Sequence, residues 1–177
     1  MADALSSAPP PAPSAEGVQR QDLEKTVTHL LEEARMVLPG IQALFGFQLV
    51  AVFNNAFVEQ LTHREKSLHL LATALIAVCM GLVLAPVAYH RQVEPCGISQ
   101  RLVTYSTWML TTAQAFLMVA LCIDFHVVSR HVLGDEGVSR WIALILLLFF
   151  ATLWFFIPWV FRALQATSMG RQRRRMR

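Results

Sequence analysis

Glu32, Arg35, His90, Arg91 and Arg162 flank apolar stretches of this sequence and are the residues best suited to moving a proton or binding an anion. Glu32 and Arg35 are three apart and can pair on one helix face. If the chain gathers all five, they can act as a relay. The simpler and preferred reading is a set of interface charges that fix helix ends and snorkel to water. Asp124 stands at the end of an apolar run. Below the membrane interface it would be a candidate proton or cation site; at the end of its run a wetted position is expected. With His126, His131 and either Asp135 or Glu136 it has the side chains of a metal site, but the spacing matches no metal signature. No nucleophile motif, phosphate loop or HExxH is present. The expectation is therefore a non-enzymatic protein, with no catalytic, cofactor-binding or metal-binding residue assigned.

The elements that position these groups are four apolar runs. Hydrophobic residues make up 55% of the 177 positions, charged residues 15%, and mean hydropathy is +0.46. Soluble domains are nearer 45–50% apolar, and a helix needs roughly 20 apolar residues to cross a bilayer. Spans are expected at about 39–58, 68–89, 102–123 and 141–161, within one transmembrane domain over 22–162. Residues 1–21, rich in Pro, Ala and Ser, read as a disordered tail rather than a secretory signal. Residues 163–177 read as a basic cytoplasmic tail. The three cysteines, Cys79, Cys96 and Cys122, form no disulfide framework or CxxC pair. The fold class is all-α: a membrane bundle of four transmembrane helices, preceded by a short amphipathic interfacial helix.

That first helix is expected over Asp22–Arg35, where Leu23, Val27, Leu30, Leu31 and Ala34 share a face and Asp22 suits the N-cap. Leu38 precedes a proline, so a break is expected there, with Pro39 opening the first span. In that span Gln48, Asn55 and Glu59 share a face, and its amides should turn inward. Gln42 lies on another face, one turn before Gly46. In the second span Thr73, Ala77, Gly81 and Ala85 recur every fourth residue, the expected site of closest helix contact. Thr104, Thr107, Thr111 and Gln114 line one side of the third span and are expected to face the bundle. Asp124–Arg140 reads as the longest loop. Trp141 opens the fourth span, and Pro158 and Trp159 end it.

Four spans place both termini on one side. That side carries eleven Lys and Arg residues, and the other carries Arg64, Lys66, Arg130 and Arg140. The positive-inside rule then puts both termini in the cytoplasm. The arginines at the C-terminus are explained by topology, so no nucleic-acid partner is expected. The expected partner is the lipid bilayer, with no protein partner identified.

EEARMVLPGIQALFGF at 32–47, APVAYHR at 85–91, Asp124, and Leu153-Trp154 with Pro158 resemble a bacterial family of four-helix inner-membrane proteins of unknown function. Its members are sometimes labelled sodium/proton antiporters. The resemblance covers about residues 30–162. It implies a multipass protein of the bacterial cytoplasmic membrane and makes Glu32, Arg35, Gln42, His90, Arg91 and Asp124 the first positions to test. Gln48, Asn54 and Asn55 depart from the more apolar run expected in that family. Proton-coupled cation transport is the alternative function. Four helices leave little lumen, so a transport path would need a homo-oligomer.

Overall fold

In the computed structural model, residues 15–93 and 99–165 are described. Most of the N-terminal tail, the C-terminal tail from residue 166, and residues 94–98 with Cys96 lie outside them. The described chain is helical: α1 (Ala15–Val52), α2 (Asn55–Gln60), α3 (His63–Val93), α4 (Gln100–Leu133) and α5 (Glu136–Ala151). The last helix passes through a π-helical turn (Thr152–Phe156) and continues to Gln165. Among the described residues four helices are long and apolar enough to cross a membrane: Gln21–Val52, His63–Val93, Gln100–Leu133 and Glu136–Gln165.

Seven-residue spacing explains the packing. On α1 the buried residues Val27, Ala34, Ile41 and Gln48 are seven apart. On α3, Glu65, His69, Ala72, Ile76, Cys79, Val83 and Pro86 are buried in alternating steps of four and three, with Thr73 buried beside Ala72. On α4, Ser106, Ala113, Ala120 and Val127 repeat every seven. Such a period keeps one stripe of each helix facing its neighbours and favours a left-handed crossing. The apolar core is built from Ala34, Ile41, Ala72, Ile76, Cys79, Val83, Ala113 and Ala120. It sits between α1, α3 and α4. The π-helical turn and the rest of α5 stand outside it; of the regular part of α5, only Ser139 is fully buried.

Several local expectations change. Residues 15–21 belong to α1, which is unbroken at Leu38 and carries Pro39 inside it. Pro39 is exposed, and its missing N–H removes the helical donor to the Arg35 carbonyl. The heptad stripe crossing it holds the helix together. The amphipathic stretch and the first apolar run are therefore one helix, with Val27 buried in the bundle. The expected small-residue contact on α3 is packed only in part: Thr73 is buried and Ala85 half-buried, but Ala77 and Gly81 between them are exposed. The seam one residue over, with Ile76 and Val83, buries more apolar surface and wins. The long loop after Asp124 shrinks to Gly134 and Asp135. Gly134, at φ 70, donates its N–H to the Arg130 carbonyl at 2.9 Å, and Asp135 caps the next helix. Pro158 does not end the last helix. The wide turn before it, where Ile157 N–H reaches the Thr152 carbonyl, makes room for the proline ring.

Candidate functional site: a polar cluster where three helices meet

α1, α3 and α4 each place one polar side chain at the same level of their seams: Gln48, His69 and Asp124. The Gln48 amide Nε2 donates to Asp124 Oδ2. His69 Nε2 lies 3.1 Å from the Gln48 backbone carbonyl. His69 Nδ1 faces Asp124 Oδ1 at 3.5 Å, within ion-pair range but long for a hydrogen bond. Phe57 of α2 closes the cluster edge-on, its ring centroid 5.1 Å from that of His69. The His69 side chain is 11% exposed and that of Asp124 18%. Gln48 Oε1 and Asp124 Oδ1 are enclosed and accept no hydrogen bond.

This geometry fixes one hydrogen on His69. A backbone carbonyl only accepts, so the Nε2 facing it carries the hydrogen. With that hydrogen in place the pair is negative as aspartate with neutral imidazole, and one further proton, carried at Nδ1 or on the carboxyl, makes it neutral. Aspartate with imidazolium and aspartic acid with neutral imidazole are two forms of one neutral pair. Adding a proton makes the site positive, and removing one makes it negative. A small cation beside the carboxylate and the enclosed Gln48 oxygen is an alternative to the shared proton.

A ladder of charges leads to the cluster from one end of the bundle. Arg64 meets Glu136 at 3.9 Å, Glu136 meets Arg130 at 3.8 Å, and Arg130 Nε meets Glu65 at 3.2 Å. Glu65 is one turn before His69 on α3. It also accepts from Thr62 N–H at 2.8 Å and from the Thr62 hydroxyl at 2.6 Å, while Thr62 Oγ1 lies 3.4 Å from Glu65 N. This is a reciprocal capping box at the start of α3. On the other side of the cluster lie Ile41, Ala72, Ile76 and Ala120, all buried and apolar. The cluster thus has polar neighbours toward the α2–α3 and α4–α5 turns and an apolar plug toward the opposite end.

Of the six sequence candidates, only Asp124 joins this site. α4 continues nine residues past it, roughly 13 Å, so it lies inside the helix rather than at a wetted end. Glu32 pairs with His29 at 3.7 Å instead of Arg35, with both side chains mostly exposed. Arg35, Gln42 and Arg91 are exposed. His90 is half-buried, its enclosed Nδ1 without a hydrogen-bond partner. The proposed relay at that end is not assembled by contacts among these residues. Nor is the Asp124–His126–His131 set: the described residues contain no group of three His, Cys, Asp or Glu side chains placed to hold a metal. Asp124 turns to His69, Asp135 caps α5, and Glu136 pairs with arginines.

His69 is the residue that sequence reading missed. Its signal was a lone histidine in the run Leu68-His69-Leu70-Leu71, where only burial with a partner makes physical sense. Gln48 is the inward amide expected from sequence, but Asn55, expected on the same face of a span reaching 58, is exposed in α2 beyond the end of α1 at Val52. Thr62-x-x-Glu65 was a legible capping signature.

Residues 16–158 match a family described as of unknown function, DUF6328. No curated protein and no solved structure matches the chain.

Proposed function

We propose a function for this chain, which belongs to DUF6328, a family of unknown function: it is a non-enzymatic multipass membrane protein that takes up and releases a proton at the Asp124–His69 pair, with a small monovalent cation as the competing occupant. The observation that carries this reading is the pair itself, with enclosed acceptor oxygens on Asp124 and Gln48 that no protein donor satisfies. Ionisable groups inside a membrane bundle are costly and tend to mark sites of function. Holding the helices together would require no shared proton and no unsatisfied oxygens.

The basic-residue count supports a bacterial cytoplasmic membrane with both termini in the cytoplasm. On that orientation the charge ladder from Arg64 to Glu65 opens the site to the exterior, and the apolar core seals it from the cytoplasm. Full passage across the membrane, as in proton-coupled cation transport, would need a second arrangement that breaks this plug.

The test is proton release. Purified protein in weakly buffered detergent receives sodium or potassium chloride while pH is recorded. Release approaching about one proton per chain, absent with choline chloride and lost in Asp124→Asn, supports the site. Release that persists in Asp124→Asn and His69→Gln removes it. Reconstitution with a pH dye inside sealed vesicles then separates binding from transport. A cation gradient that drives a pH change abolished by Asp124→Asn favours transport.

A further inference from the structure

We infer that two copies of this chain pair through α4, with Gln114 of each bonding its counterpart across a two-fold axis. Three observations carry this. First, Thr104, Thr107, Thr111 and Gln114, which the sequence leads one to expect against the bundle, are all exposed, as is Gln100 one turn before them. Their steps of four, three, four and three repeat the spacing of the buried seam on α3. Such a spacing presents a continuous stripe to a partner helix crossing at a shallow angle.

Second, the hydrogen bonding along the stripe is uneven. The hydroxyls of Thr104, Thr107 and Thr111 each donate to the carbonyl one turn back, at 3.0, 2.9 and 2.8 Å. They can therefore face lipid at little cost while still accepting a bond. Gln114 has no such internal solution. Its amide lies in the middle third of a 34-residue helix, far from either end, which for a helix crossing a bilayer is the hydrocarbon interior. An amide there is satisfied only by another polar group. A glutamine is both donor and acceptor, so it is complementary to itself, as a two-fold contact requires.

Third, there is space. Toward the terminal end of the bundle α4 and the last helix part, leaving a groove of about 1110 Å³ between Thr111 and Gln114 on one side and Thr152, Phe155 and Trp159 on the other. A neighbouring opening of about 620 Å³ runs along Thr104 and Thr107. A partner's α4 laid there would be flanked by this chain's last helix, and the symmetry would return the same cover. That accounts for a fourth helix with so little of its surface buried. A phospholipid with its headgroup at Arg162 is the competing occupant, but the acyl chain it would place beside Gln114 offers no hydrogen bond.

Disulfide trapping in native membranes tests the pairing, on a Cys96→Ser background so that only the introduced thiol and the buried Cys79 and Cys122 remain. Thr107→Cys and Thr111→Cys should each give a covalent dimer under mild oxidation. Leu84→Cys, on an exposed face of α3, should not. Gln114→Leu in the untrapped protein should weaken dimerisation about tenfold in detergent titrations. Monomers in both trapping variants, or equal trapping at Leu84→Cys, would overturn the proposal. So would a monomer in native mass spectrometry carrying a phospholipid that Arg162→Gln releases. These readouts do not depend on proton binding, so Asp124→Asn should dimerise normally even if the proton site is wrong.

Discussion

His69 makes one contact of fixed polarity and one that can change hands. The Gln48 carbonyl holds Nε2–H, whereas the proton proposed between Nδ1 and Asp124 would belong to the pair. Removing one member leaves the other buried with its needs unmet. Asp124→Ala or His69→Ala should each cost about 3–5 kcal/mol, measured by denaturation in mixed micelles. Replacing both with leucine should cost clearly less than the sum of the single changes. Sequence alone reached half of this site. Asp124 was conspicuous as an acid at the edge of an apolar run, but the residue pairing with it is 55 positions earlier in the chain. Only the antiparallel alignment of α3 and α4 brings His69 level with it. The relay weighed as the alternative reading of Glu32, Arg35, His90, Arg91 and Arg162 is a different case: charges sharing one end of a bundle need not point at one another, and here all but His90 are exposed.

The helices are set by their end signals as much as by their apolar faces. Thr62 serves the first turn of α3 and also orients Glu65 toward Arg130. Thr62→Ala should lower stability by about 1 kcal/mol through the lost cap. It should also loosen the charge ladder, seen as faster amide exchange at the start of α3. Gly134 has its left-handed φ because α4 and α5 reverse over two residues. Gly134→Ala should cost about 1 kcal/mol in the same denaturation assay. Four helices were legible from length and hydropathy. Their junctions were less so, because the rules for proline and for loops are local. Pro39 and Pro158 read as boundaries, yet a heptad stripe carries α1 through the first, and a widened turn carries the last helix through the second.

As a whole, the molecule is three helices, α1, α3 and α4, around one apolar core, with the last helix packed on α4 and the polar cluster set between that core and the charged turn end. Its proposed orientation predicts that membrane-impermeant thiol reagents label His63→Cys or Val132→Cys from outside intact cells, on the Cys96→Ser background, and leave Arg91→Cys unlabelled. The reverse pattern would invert the bundle. The number of spans was readable from sequence because hydropathy is additive along the chain. The unequal packing of the fourth helix was not, since an all-apolar helix looks the same whether it faces lipid or protein. The central claim concerns one proton in the middle of this structure, and infrared difference spectroscopy of lipid-reconstituted protein tests it most directly. On changing pH or adding sodium, the wild type should show a protonated-carboxyl band that changes intensity, is absent in Asp124→Asn and is shifted in His69→Gln. A spectrum with no such band, or one unchanged by Asp124→Asn, would contradict the account.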